Sequence, residues 1–451
     1  MIKRFKITKL FGFRNVNISF EGDIKILIGE NGLGKTTVLN SLYYVLSERY
    51  NKLYAINFER IELLFNNGSK IQFTKRELET FLRLQDKQGR SIPRHILSQI
   101  DLNELEIALK NDENGRELEG TLIKYLTKNK ISRWAPIHIM VRDLSTLLHE
   151  PTIKKFIQFG ELLKSFSIDI LYFPTYRRVE EDLKNLGKFR KRFIDSDFDE
   201  YIEEIEEDFE ISDDTLIHFG MEDVVQRIEI VKDLINSSTV EGFSKVTGEI
   251  LSQLLKGFPD IVKEQVHELD ISTAKIVLHR VGDSLSESDR KEILNLLEEP
   301  ENLLKKKELT YFLFNLIEIY NQHKHIDDAI KRFKDVCNKY LGDKEFRYNE
   351  STVAIEIFRI NTNDIVSLNK LSSGEKQIVS LFSKIYLEFS KNYIVLFDEP
   401  ELSLSIEWQK QLLPDIIKSE KCKFLLSVTH SPFIFSNELD NYAIGMSSYI
   451  K

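Results

Sequence analysis

Apolar and polar positions change rhythm several times along the chain. DIKILIG (23–29) is a short apolar run that enters a glycine and predicts a buried strand. KTTVLNSLYYVLSERY (35–50) carries its apolar residues at helical spacing. RIELLFNNGSKIQF (60–73) places two strand-like runs around Asn-Asn-Gly-Ser, residues that tolerate the positive φ of hairpin turns, and predicts an antiparallel pair. From about residue 76 the texture becomes charged and helical. DLNELEIAL (101–109) opens with the Asp101/Glu104 spacing of a capping box, and Leu118, Leu122 and Leu126 recur four apart. The run IDILYFPTYRR (168–178) interrupts as a strand ended by Pro174, and a second helical tract reaches about 342. Strand texture returns in TVAIEIFRI (352–360), NYIVLFDEP (392–400) and CKFLLSVTH (422–430). The expected organisation is an N-terminal lobe over 1–75, a helical insert over 76–342 broken by a core strand near 168–178, and a C-terminal lobe over 343–451. There is no internal repeat and no sustained heptad run.

Composition narrows the class. At 451 residues, 42% apolar and 30% charged, the chain has an ordinary globular make-up with room for two or three domains. Two cysteines, Cys337 and Cys422, are too few for a disulfide framework and lie far apart with no metal-ligand spacing, which fits a reducing cytoplasm. The start, MIKRFKITKLF, has charges without the apolar stretch of a secretory signal, and no run of about 18 apolar residues occurs, so no membrane partner is expected. A formal net charge of −9 argues against coating of nucleic acid over the whole surface and leaves room for a local basic groove. One such block is Lys184, Lys188, Arg190, Lys191 and Arg192, interleaved with Phe189 and Phe193 and followed by an acidic run from Asp195 to Asp214. A solvated helix face with a flexible acidic loop is its plain reading; contact of KFRKRF with nucleic-acid phosphates is the sharper one.

Four short motifs carry chemistry. GENGLGKTT (29–37) fits G-x-x-x-x-G-K-[ST], in which Gly29, Gly32 and Gly34 let backbone N–H groups turn toward phosphate oxygens. Lys35 is expected to reach the β- and γ-phosphates and the Thr36 hydroxyl to ligate Mg²⁺, with Asn31 and Thr37 as further nucleotide-binding positions. In NYIVLFDEPE (392–401) an apolar strand ends in Asp398 and Glu399, at the carboxyl edge of a sheet where ligands bind. Asp398 is expected to hold Mg²⁺ and Glu399 to act as general base on water. LLSVTHSPF (425–433) brings His430 to the end of a third strand, in reach of a γ-phosphate oxygen or the attacking water. KLSSGEKQI (370–378) sets Ser373, Gly374 and Glu375 at the start of an apolar helix, a second anion site. The other eight histidines, His323 and His325 among them, read as ordinary surface or core residues.

Taken in order, the glycine loop, LSSGEKQ, VLFDEPE and SVTHSP resemble the ATP-binding heads of the ABC type, in the SMC/RecF/OLD-like branch. The resemblance covers about 200 residues at the two ends of the chain. It implies an α/β fold: an ABC-type P-loop ATPase head with a mixed sheet, an antiparallel β subdomain and an inserted helical lid domain. It also implies head-to-tail pairing of two copies, in which Ser373, Gly374 and Glu375 serve the ATP held by the other copy's Lys35. ELSLS (401–405) stands where the family's D-loop lies, with Ser405 at a position where many members carry His or Asp. The family's Q-loop glutamine has equal contenders in Gln72, Gln85, Gln88 and Gln158. LYFPTYRRVEEDL (171–183) and DEPELSL (398–404) look similar to stand-alone anti-phage defence ATPases of the Septu (PtuA), retron-associated type. That likeness implies a separately encoded nuclease of HNH type as partner, since the stretch beyond His430 is too short for the TOPRIM nuclease domain of OLD proteins. Two alternatives remain open: a RecF-like ATPase that binds DNA in repair, and a scaffold that binds ATP without hydrolysing it.

Overall fold

The computed structural model describes residues 1–30, 32–88, 116–128, 136–141, 150–174, 221–259, 269–282, 285–298, 300–388 and 391–451. From the amino end come β1 (Ile2–Leu10), β2 (Arg14–Ser19), β3 (Ile24–Ile28), α1 (Lys35–Leu46), α2 (Tyr50–Tyr54), β4 (Arg60–Phe65) and β5 (Lys70–Thr74). Then follow α3 (Lys75–Gln88), α4 (Arg116–Lys128), α5 (Pro151–Ser165) and β6 (Asp169–Phe173). The middle of the chain holds α6 (Met221–Lys256), α7 (Ile271–Arg280), α8 (Glu287–Glu298), α9 (Pro300–Leu303), α10 (Lys307–Asn338), β7 (Lys344–Asn349), β8 (Ala354–Arg359) and α11 (Ser373–Leu387). The last elements are β9 (Tyr393–Asp398), α12 (Ile406–Lys418), β10 (Cys422–Thr429) and β11 (Ala443–Gly445). The capping-box run 101–109, the basic and acidic blocks between 184 and 214, and residues 175–183 lie outside the described residues.

These elements form two compact units, Met1–Ile217 with Asn392–Lys451, and His218–Lys391. The first contains two separate sheets. One is antiparallel, in the order β2-β1-β4-β5; the other runs β11-β3-β10-β9-β6 and every neighbouring pair in it is parallel. The expected α/β P-loop head is therefore the observed class, with the parallel and antiparallel strands sorted into two sheets rather than mixed in one. The sorting follows burial. In β1 only Ile2, Phe5, Ile7 and Leu10 are buried, leaving the other face to water, as an antiparallel sheet allows. In β9 all six residues are buried, the signature of a parallel strand covered on both faces.

The first helical stretch belongs to this unit and not to a separate insert. Its reason is an aromatic core: Phe156 of α5 lies 4.3 Å from Phe81 of α3, 4.9 Å from Tyr50 and 5.2 Å from Phe73 of β5, ring centre to ring centre. Leu122 and Leu126 of α4 are buried in the same cluster. Phe156→Ala removes the ring on which the others pack and is expected to cost about 3–5 kcal/mol, read as a lowered midpoint in chemical denaturation. The last residues close the unit. β11 pairs with β3, Ile450 bridges Val16 of β2, and the Tyr449 hydroxyl accepts a 3.0 Å hydrogen bond from the buried Lys25 ammonium.

The second unit is built on the long helices α6 and α10. The β7–β8 hairpin packs on α10 through Phe333–Phe346 at 5.1 Å, and α11 packs on Tyr340, just past the end of α10, through Phe382 at 5.8 Å. Residues 343–391, which strand texture and motif order group with the C-terminal lobe, thus share their contacts with the helices of the middle. Polar ties fix the unit as well. Arg280 pairs at 2.6 Å with Asp327, both buried, and Tyr348 donates to the same carboxylate. Arg227 reaches Glu388 at 3.0 Å and Ser383 at 3.1 Å. No helix among the described residues is long and apolar enough to cross a membrane.

Candidate nucleotide site

The order β3-β10-β9 decides which loops meet. Neighbouring strands lie about 4.8 Å apart, and the register sets Ile28 beside Thr429 and Val428 beside Asp398. The loops that leave the carboxyl ends of these three strands therefore open at one edge within a span of about 10 Å. The P-loop follows β3, the Asp-Glu pair ends β9 and His430 follows β10, so three motifs distant in sequence converge.

The loop itself has the backbone its glycines permit. Gly32 and Gly34 sit at φ +84° and +83°, left-handed values that side chains rarely adopt. At Gly34 an added Cβ would also meet the Phe11 ring at 3.0 Å. α1 begins immediately after, so its free first-turn N–H groups face the loop. Asn31 lies outside the described residues. Thr37 stands in the first turn of α1, where its carbonyl accepts from Ser41 at 2.7 Å.

Lys35 is 6% exposed, and its three ammonium protons have three acceptors: the carbonyls of Gly29 at 2.6 Å and Glu30 at 2.9 Å, and His430 Nε2 at 2.7 Å. With the ammonium donating, His430 accepts at Nε2 and carries its proton on Nδ1. Burial pulls the Lys35 pKa below its ordinary value, and the carboxylates of Glu399, Asp398 and Glu401 oppose that.

Asp398 is 2% exposed and accepts from the Thr36 hydroxyl at 3.1 Å. Among the described residues no cluster of three or more His, Cys, Asp or Glu side chains is assembled for a metal ion. Mg²⁺ does not need one, because it keeps several waters and takes one or two protein oxygens beside substrate phosphates. A buried carboxylate touching a hydroxyl at a phosphate-binding loop fits that demand. Glu399 adopts φ +52°, uncommon for a residue with a side chain, and its N–H donates to Val428 O at 2.8 Å. Its carboxylate lies 3.7 Å from His430 Nε2.

The signature residues lie in the other compact unit. Ser372 caps α11: its hydroxyl accepts from Glu375 N at 3.3 Å, while the Glu375 carboxylate accepts from Ser372 N at 2.7 Å and from Lys344 Nζ at 2.9 Å. Glu375 is buried and turned toward its own helix start, and Gly374 is buried beside it. Ser373, in the first turn, is exposed. Ser405 has a local task, capping α12 by accepting from Trp408 N.

Two site neighbours were not singled out by sequence reasoning. Arg14 donates to the Gly32 carbonyl at 2.9 Å, and nothing in its strand context marks it. Glu401 accepts from the Thr429 hydroxyl and from the backbone of His430 and Ser431; its place two residues after Glu399 is the only signal.

The chain is similar to the DNA replication and repair protein RecF of Oenococcus oeni, 23% identical over 243 residues that cover 52% of this chain and 55% of that protein. It thus spans about half the length of that relative. RecF of Clostridioides difficile is 22% identical over 294 residues, 60% of this chain and 72% of its own. A solved Smc head domain with an extended coiled coil, bound to the C-terminal domain of ScpA and derived from Pyrococcus furiosus, aligns with 96% of this chain and 91% of its own, at 13% identity and a TM-score of 0.34. An Smc head bound to the C-terminal winged-helix domain of ScpA aligns with 98% and 93%, at 10% identity and a TM-score of 0.32. Residues 1–435 match the family described as the AAA ATPase domain, and the chain belongs to that family.

Proposed function

We propose that this chain binds ATP with Mg²⁺, hydrolyses it, and works as a head-to-tail pair of copies. The convergence of Lys35, Thr36, Asp398, Glu399 and His430 at one sheet edge carries the reading. Lys35 would hold the β- and γ-phosphates, and Thr36 and Asp398 would hold the metal, which supplies charge neutralisation on the phosphates. Glu399 would take the proton of the attacking water, and His430 would contact the γ-phosphate side. Ser373 and Gly374 would serve the nucleotide bound by the second copy.

On this reading ATP is a switch that regulates or delivers a separate HNH-type nuclease in cytoplasmic anti-phage defence. What supports it is the likeness of DEPELSL (398–404) and LYFPTYRRVEEDL (171–183) to the Septu (PtuA) type. The second reading, a RecF-like ATPase that binds DNA in repair, is favoured by the similarity to two RecF proteins. One experiment separates them: recovery of the Glu399→Gln variant with ATP from cells of the native host, followed by mass spectrometry and a nucleic-acid stain. A stoichiometric small nuclease supports the defence switch. DNA recovered without a protein partner, with binding that weakens steeply as salt rises, supports the repair reading.

A further inference from the structure

We propose that Glu401 is a positioning residue for His430: its carboxylate fixes the peptide that aims the imidazole at Lys35 and Glu399. The inference deepens the hydrolytic reading above and rests on it for the role of His430.

Glu401 is joined to the His430 loop by three hydrogen bonds. Oε1 accepts from the N–H of His430 at 2.8 Å and of Ser431 at 3.1 Å, and Oε2 accepts from the Thr429 hydroxyl at 2.8 Å. A carboxylate offers about four lone-pair positions, so most of its capacity is spent on this one turn. Hydrogen bonds donated to a charged acceptor are roughly twice as strong as neutral ones. The turn is braced from its other side. Ser431 donates its hydroxyl to Gln409 Oε1 at 2.6 Å, and Gln409 Nε2 donates to the carbonyls of Leu404 at 3.0 Å and Glu401 at 3.4 Å. Glu401, Gln409 and Ser431 thus close a ring around the backbone of His430.

The ring matters because the imidazole itself is about one-third exposed and sits at the end of the turn that Glu401 holds. Its Nε2 nevertheless stands 2.7 Å from Lys35 Nζ and 3.7 Å from Glu399. Its aim is set by the bond to Lys35 and by the peptide below the ring, and Glu401 holds that peptide. A displacement of about 1 Å at a reacting group costs on the order of 10²-fold in rate.

The test compares Glu401→Ala and Glu401→Gln, each alone and with His430→Ala. Glu401→Ala is expected to lower kcat for ATP on the order of 10²-fold while nucleotide affinity shifts by no more than about threefold. Glu401→Gln should stay within about fivefold of wild type, because its amide oxygen still accepts from both backbone N–H groups. In the His430→Ala background Glu401→Ala should add less than about twofold, since a residue acting through His430 has nothing left to aim. A full further loss in that background overturns the inference, as does wild-type turnover in Glu401→Ala. Should the alanine variant not fold, Glu401→Asp keeps the charge but withdraws it by one methylene, and a loss of about tenfold is expected; wild-type turnover there overturns the inference too. If the wild-type chain releases no phosphate, the hydrolytic reading fails on its own. Amide exchange then decides the positioning role in the nucleotide-free protein: exchange at His430 and Ser431 should quicken about tenfold or more in Glu401→Ala, and unchanged exchange refutes it.

Discussion

Glu399→Gln is expected to cut ATP turnover by about 10²- to 10⁴-fold, the range typical for loss of a positioned general base, while leaving nucleotide binding intact. The side chains are nearly the same shape, so the φ of +52° at this position and the N–H bond to Val428 O are undisturbed. Such a backbone costs of order 1–3 kcal/mol and persists only where the surroundings impose it. Here the bond to β10 holds the backbone of Glu399 at the sheet edge and its carboxylate lies beside His430, where an amide of equal size can no longer accept a proton. A variant that binds but does not turn over should retain ATP and accumulate the paired form. Phosphate release measures the first effect and size-exclusion chromatography with ATP the second. Ordinary turnover would remove Glu399 from its role, and a monomer throughout would end the head-to-tail reading.

Lys35→Ala should weaken ATP binding by about 10²- to 10⁴-fold, because two charge-assisted hydrogen bonds to phosphate are lost, each worth about 1.5–3 kcal/mol. The fold should survive, since alanine is a good helix former at the start of α1. Lys35→Arg should not rescue. The ammonium of the buried Lys35 is bounded by the carbonyls of Gly29 and Glu30 and by His430, a set that suits a compact donor and not a planar guanidinium fork. Calorimetric titration with a non-hydrolysable analogue measures the loss; tight binding by the alanine variant would show that the P-loop holds phosphate through its backbone alone.

These variants differ in how visible their grounds are in the sequence. Lys35, Thr36, Asp398, Glu399 and His430 announce themselves because each sits where an apolar strand ends or a glycine run begins, and those are local patterns. Period and turn residues likewise specify the hairpin at 60–74, the strand before Pro174 and the helix that Ser372 caps. Local pattern does not carry strand order. That β10 lies between β3 and β9, bringing the three loops together, depends on which buried faces pack. The same holds for β11, three residues whose place beside β3 no periodicity reveals. Grouping of elements was also beyond reach: α3, α4 and α5 have the charged texture of an insert, yet Phe81, Phe156 and Leu122 commit them to the core of the first unit.

The site shows the same division at the scale of single atoms. The identity of a residue determines what it can donate or accept, and so the sequence by itself determined the groups available: a glycine-rich loop with a lysine, two carboxylates at a strand end and an imidazole. Where a carboxylate goes depends on which unsatisfied donors the packed chain brings near it. Glu375 reads as a ligand-binding residue in its motif, but Ser372 N and Lys344 claim it. Glu401 carries little local signal beyond its place two residues after Glu399, yet tertiary structure sets three donors of the His430 turn around it, because β9 and β10 are neighbours and their loops must satisfy each other's backbone groups.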